Sequence, residues 1–304
     1  MLGQYLIAFR EGLEAALIAA VLLAYLARTE RRHLTRYVLI GVYLAIAAST
    51  VLGVAVWLAY GAVSGPGKAL FEGVAALIAV AVLTSMIIWM AFRRRGLKGE
   101  VERRMGASIA QGTVLGLVLL AFVLVLREGF ETVLFLTPFL VTDAAATVSG
   151  AALGIGAALL LAFFIFKVGM RIDLNRFFAY SAILLTLLAA GLAGYGTHEL
   201  MEYGKESGAD IGWFGSTAYD LGLSPDDPLH HKGTVGSIPA VMLGYAASAE
   251  WGRVLVHLLY AAIVMPIVIL SYKRPDLLEA VPRALRKVWR TLRRPSSGPP
   301  ADIE

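Results

Sequence analysis

Residues 10–14 read Arg10-Glu11-Gly12-Leu13-Glu14, and residues 127–131 read Arg127-Glu128-Gly129-Phe130-Glu131, one pattern repeated 117 positions apart. Each copy lies inside a long apolar run, about 2–27 and about 112–141. Two more apolar runs follow the first copy, at about 38–60 and 69–92. Two follow the second, at about 147–169 and 178–201, and a last one covers about 253–272. About 20 mainly apolar residues cross the hydrocarbon of a bilayer as a helix, so all seven qualify as spans. The reading is an all-α integral membrane protein in which spans one to three recur as spans four to six, with a seventh added. Because three crossings separate the copies, the second unit enters from the opposite face. This is an inverted 3+3 repeat, and in transporters so built the substrate site lies near the midplane at the repeat interface.

Composition supports this. Of 304 residues 58% are apolar and only 16% charged, with mean hydropathy +0.72, whereas soluble domains carry about 45–50% and about 25%. A cytosolic enzyme, a secreted domain and a disordered scaffold are thereby excluded. The runs are continuous and rich in Leu and Ala, unlike the short alternating strands of a barrel. The first begins at Leu2 without a basic leader and is longer than a signal core. With no cysteine, disulfides, thiolate metal sites and cysteine nucleophiles are absent.

Basic residues set the orientation. Arg28, Arg31, Arg32 and Arg36 follow span one, and Arg93, Arg94, Arg95, Lys98, Arg103 and Arg104 follow span three. Lys167, Arg171 and Arg176 follow span five, and eight more basic residues follow span seven, so 21 of 27 fall on one side. The N-terminus is expected outside and the C-terminus in the cytoplasm of a cell (plasma or inner) membrane. The net charge of +5 is a topology signal, and nucleic acid is not an expected partner.

The expected organisation is a permease domain over 1–275. It comprises repeat one (about 1–95), repeat two (about 108–203), an outer loop (203–252) and the seventh helix (253–272). Residues 276–294 (DLLEAVPRALRKVWRTLRR) read as a basic amphipathic helix on the inner lipid surface, before a disordered tail to residue 304. In the outer loop, GSIPAVMLGYAASAEWG (residues 236–252) is apolar enough to rest on the membrane and too short to cross it.

An ionisable residue deep in a membrane costs roughly 2.5–3.5 kcal/mol on insertion scales, so the six in the two motifs are functional candidates by default. Glu11 and Glu14, like Glu128 and Glu131, are three apart and share a helix face. Glu11 is about nine residues from the outer end of its span and Glu128 about twelve from its own, which places both pairs at similar depth. Each motif glycine removes a side chain where a helix must approach closely. Four carboxylates and the guanidinium groups of Arg10 and Arg127 give a formal charge of −2, suited to a multivalent cation held by hard oxygen ligands. A purely structural reading makes Arg10–Glu14 and Arg127–Glu131 i,i+4 ion pairs. It leaves Glu11 and Glu128 unpaired in lipid, which is costly.

Further acids stand at the outer ends of spans three and six. Glu72 opens one, while His198, Glu199 and Glu202 close the other, as a vestibule concentrating cations or as ordinary interfacial polar residues. His198-Glu199-Leu200-Met201-Glu202 lacks the second histidine of a zinc protease. Asp226, Asp227, His230 and His231 are metal-capable, though solvated loop charge is the plainer reading. His257 reads as a packing histidine. Gly65–Lys68 is no phosphate-binding loop, so transport is not ATP-driven through this chain.

The paired motifs, in the first and fourth of seven helices, resemble the iron permease family of fungal plasma membranes and bacterial inner membranes, over residues 1–272. Leu83-Thr84-Ser85-Met86, Trp89-Met90 and the Gly244-Tyr245 turn are similar to that family as well. The resemblance implies high-affinity iron uptake with Glu11, Glu14, Glu128 and Glu131 as ligands in the permeation path. Iron is then the substrate and no resident cofactor is implied. It also implies a partner, a separate ferroxidase or periplasmic iron-delivery protein, because no such domain is fused here. The fungal Asp-Ala-Ser-Glu loop motif has only a near match, Ala247-Ser248-Ala249-Glu250. Alternatives are a permease for another divalent or heavy metal such as lead or manganese, and a membrane di-iron oxidase. The latter usually adds Glu-x-x-His motifs that neither copy contains. A structural or receptor-like membrane protein leaves the duplicated acids unexplained.

Overall fold

The computed structural model describes residues 1–93, 114–168, 173–224, 226–230, 235–236, 239–240 and 244–273. The expected amphipathic segment 276–294 and most of the basic residues that follow span three lie outside them. Among the described residues the chain forms long helices α1 (Leu2–Arg28), α2 (Thr35–Ala62), α3 (Gly67–Arg93) and α4 (Val114–Thr142). After these come α5 (Ala144–Phe163), α6 (Leu174–Glu206) and α7 (Trp251–Lys273). Every one overlaps an expected span, and the ends differ by only a few residues. Asp143 separates α4 from α5 and caps the latter, its carboxylate accepting the Ala146 N–H at 2.9 Å. A π-helical turn, Phe164–Val168, extends α5.

By length and composition five stretches can cross a membrane: 32–62, 67–90, 144–167, 176–206 and 251–273. The other two helices, α1 and α4, have 27 and 29 residues, long enough to cross, and carry the two charged motifs. Large apolar side chains stand exposed along α2 (Tyr43, Val51, Trp57, Leu58) and α5 (Val148, Leu153, Leu159, Phe163). Water would not tolerate faces of this kind and lipid does.

The strongest packing joins α1 to α5, α2 to α4 and α3 to α6, with α7 laid on α6. Glycines mark the close approaches. A Cβ at Gly154 would collide with the Tyr5 carbonyl of α1, and one at Gly41 with the Val118 carbonyl of α4. Gly12 faces Ile155 and Ala158, and since partner numbers rise together α1 and α5 run parallel. Gly53 faces Val133, so α2 and α4 run parallel too. Where α3 crosses α6, a Cβ at Gly73 would lie 3.0 Å from the Gly196 carbonyl, and one at Gly196 would lie 3.1 Å from that of Gly73.

Among the described residues three apolar clusters fill the interior, the smallest of them Leu13, Ala158 and Ala162 between α1 and α5. Another is centred on Leu83, Ile87, Phe135, Leu185 and Leu188. The third joins Leu22 and Leu26 of α1, Val38 of α2, and Leu117 and Ala121 of α4. It closes the end of the bundle where α1 finishes and α4 begins.

The all-α expectation misses one feature. Strands β1 (Thr217–Asp220) and β2 (Ser248–Glu250) pair antiparallel, with Thr217 opposite Glu250. Strands of three or four residues carry no period long enough to read, and their pairing joins positions some 30 apart. The segment expected to rest on the membrane thus runs through β2 into the first residues of α7, and Glu250 is delivered to the root of that helix.

Candidate functional site

α1 and α4 meet with their motifs at one level, and Glu11, Glu128 and Glu131 converge. One carboxylate oxygen from each lies within 4.8 Å of the others. All three side chains are buried, at 1%, 4% and 8% exposure. Helical spacing explains this for α4, where Glu128 and Glu131 turn to one side.

The arginines divide each carboxylate in two. Arg10 Nη1 donates to Glu11 Oε1 at 2.7 Å, and Arg127 Nε donates to Glu131 Oε1 at 2.9 Å. Arg127 Nε also stands 3.9 Å from Glu128 Oε1. The second oxygens, Oε2 of Glu11, Glu128 and Glu131, are buried and find no hydrogen-bond partner among the described residues. A buried carboxylate oxygen without a donor is expensive. The three carboxylates that converge here form a ready set of hard anionic ligands, which fits a multivalent cation.

The fourth expected ligand adjoins the cluster without joining it. Glu14 is not among the three converging carboxylates, and its Oε1 sits 3.1 Å from Arg10 Nη2 without hydrogen-bond alignment. Both i,i+4 pairs of the structural reading therefore form, Arg10–Glu14 and Arg127–Glu131. Glu11, which that reading left unpaired, is also held by Arg10.

Neither arginine seat was legible from the motif alone. Arg10, 2% exposed, donates from Nη1 to the Met86 sulfur at 3.1 Å and from Nη2 to the Met90 sulfur at 2.6 Å. The Arg127 guanidinium lies 4.7 Å from the centre of the Trp89 ring, a cation–π contact. One turn and a half of α3 thus receives both. The signal was the Met86, Trp89, Met90 spacing, noted for its resemblance and not for its partners. Arg10 is sealed, whereas the Arg127 side chain remains 43% exposed.

A groove of about 730 Å³ between α1, α2, α4 and α5 reaches this site, with Glu11 and Glu128 in its lining. Gly12 and Gly129 line it too, with Ser49, Thr132 and Thr147 among the polar side chains. At Gly129 a Cβ would overlap the Ser49 hydroxyl, so the motif glycine admits α2 as expected.

At the end of the bundle where α3 begins and α6 finishes, the remaining candidates separate. Glu72 is fully engaged, accepting from Tyr60 at 2.7 Å on one oxygen and from Tyr195 on the other. His198, Glu199 and Glu202 do group, with ligand atoms within 4.8 Å of one another. Glu250, from β2, approaches His198 Nδ1 at 3.0 Å. Asp226 is exposed in its loop, and Asp227 accepts the Leu229 N–H within its own turn. His257 packs beside Gly194 and Gly244, as a packing histidine would.

Comparison with known proteins identifies the lineage. The profile of the iron permease FTR1 family matches residues 1–271. The chain is 47% identical to an uncharacterized protein of Archaeoglobus fulgidus, over 90% of this chain and 96% of that one. It is 32% identical to the ferrous iron permease EfeU of Escherichia coli O6:H1, over 86% and 92% of the two chains. With EfeU of Yersinia pestis the identity is 31%, over 90% and 94%. No solved structure is significantly similar. The chain belongs to the iron permease family.

Proposed function

We propose that this member of the iron permease family imports iron with high affinity, receiving the ion on the free oxygens of Glu11, Glu128 and Glu131. One observation carries the reading: three buried carboxylates each turn one oxygen towards an arginine and leave the other without a donor. Arg10 and Arg127 hold the acids in place and aimed, and Glu14 steadies Arg10. The relatives named as ferrous iron permeases make Fe2+ the first cargo to test.

The transport frame is a seven-span inverted repeat. Superposing motif on motif exchanges the α1–α5 and α2–α4 pairs and maps α3–α6 onto itself, and the helix packing supports that exchange. The N-terminus faces outward and the C-terminus the cytoplasm, a reading supported by the basic residues. Residues 1–275 act as the permease unit. An inside-negative potential draws the cation in, at about 2.3 kcal/mol per charge per 100 mV for a full crossing. A separate iron-delivery protein supplies Fe2+, and a separate ferroxidase takes that place only if Fe3+ is the ion carried.

The test is flux in liposomes holding the purified chain under an inside-negative potassium diffusion potential. Radiolabelled Fe2+ is expected to accumulate with no oxidised product, and the triple variant Glu11→Gln/Glu128→Gln/Glu131→Gln is expected not to accumulate it. Equal flux through the triple variant overturns the reading.

A further inference from the structure

We infer that His198, Glu199 and Glu202 form a second metal site, at the end of the bundle and separate from the intramembrane glutamates, that takes a divalent first-row transition-metal ion. Its role as a docking station for the transported ion rests on the import reading; its metal chemistry does not. His198 and Glu202 are four apart on α6 and project from one face, with Glu199 beside them. His198 Nε2 lies 3.7 Å from Glu202 Oε2, and the three residues offer one nitrogen and two carboxylate oxygens within 4.8 Å.

The histidine is held as ligand histidines are. Both oxygens of Glu250 lie 3.0–3.1 Å from its Nδ1, on the far side of the ring from Glu202. A carboxylate at Nδ1 fixes the proton there and leaves the Nε2 lone pair directed at the two glutamates, the arrangement that raises a metal-binding imidazole's basicity. Glu250 comes from another element, fixed by pairing of β2 with β1, so the imidazole orientation is built by the fold and not by α6 alone. Glu250 is a positioning residue.

Exposure fits capture from solution. The side chains of His198 and Glu202 are 29% and 50% exposed, so a hydrated ion reaches them. One imidazole nitrogen suits Fe2+, Co2+, Mn2+ or Zn2+ better than Ca2+ or Mg2+, which prefer oxygen alone. Glu72 adds nothing here, since two tyrosines occupy it.

Co2+ reports the site through its visible absorption. The probe is CoCl2 titrated into detergent-purified full chain in which Glu11, Glu128 and Glu131 are all changed to Gln, so that the intramembrane glutamates cannot contribute. One Co2+ is expected to bind with an absorption band showing nitrogen ligation, and His198→Ala added to that background should abolish the band. Glu250→Gln is expected to retain the band while weakening affinity about 10–100-fold. Circular dichroism and the thermal midpoint of each variant identify any that fails to fold, in which case His198→Gln replaces it. Absence of the Co2+ band in the triple variant, or its persistence after His198 is replaced, overturns the proposal. Neither result bears on whether the wild-type chain imports iron, which the flux assay decides independently.

Discussion

Arg10 Nη2 donates to the sulfur of Met90 at 2.6 Å, across 80 residues of sequence. A thioether is a weak acceptor, yet here two of them, with Glu11 and Glu14, surround a guanidinium almost wholly removed from solvent. Met90→Leu keeps the volume and removes the acceptor. The expected cost is about 1–3 kcal/mol of stability from a buried donor left unmet, read as a lower thermal midpoint in detergent. An unchanged midpoint for Met86→Leu/Met90→Leu would show that the sulfurs only fill space.

The glutamates should not be equivalent. Glu11→Gln, Glu128→Gln and Glu131→Gln should each take iron uptake below detection, because each removes an anionic oxygen from the converging set. Glu14→Gln should leave partial uptake, since Glu14 stands with Arg10 outside that set. Uptake in a transport-deficient host, corrected for protein inserted, checks this, and loss as complete for Glu14→Gln as for the others contradicts the division.

The arginines should respond differently to lysine. Arg10 serves two carboxylates and two sulfurs at once, which an ammonium on a longer, single-pointed stem cannot do. Arg127 is half-exposed and needs mainly its charge near Glu131 and the Trp89 ring. Arg127→Lys should therefore retain more uptake than Arg10→Lys, and alanine at either position should retain least.

Steric contact at the motif glycine gives a sharper test. Gly129→Ala places a methyl on Ser49 and should lower both stability and uptake, with partial rescue by Ser49→Gly. Gly61→Ala, where nothing lies within 4 Å, should be neutral or slightly stabilising. Thermal midpoints of the four proteins decide it.

Orientation is testable because the native chain has no cysteine. A cysteine at Ser207, an exposed position just beyond α6, should react with an impermeant thiol reagent in intact cells. One at Ser296 should react only after permeabilisation. The opposite pattern would reverse the direction assigned to transport.

The helices were legible because lipid solvation demands long continuous apolar runs, and the observed ends of α1, α3 and α7 fall within two residues of those expected. Pairing of the two motifs was legible too, from duplication alone. What the sequence hid is long-range. Glu11 and Glu14 look alike at i,i+3, and only the distances of their oxygens from the α4 carboxylates distinguish them. Met86 and Met90 stood out only by resemblance to the family, and nothing in the sequence pairs them with Arg10, which donates to both. Glu250 stood in a loop with no visible partner, and β pairing carries it to His198.

The apolar cluster of Leu22, Leu26, Val38, Leu117 and Ala121 has a kinetic consequence. It gives a dehydrated ion no ligand on the way from the glutamates to that end of the bundle, and stripping an ion of water without replacement is prohibitive. If the glutamates carry the ion as proposed, release waits until α1, α2 and α4 part and water enters between them. Such a carrier completes one cycle per opening on the microsecond-to-second scale of collective helix motion. Its conductance would be too small to register as single-channel current, and its rate would rise steeply with temperature.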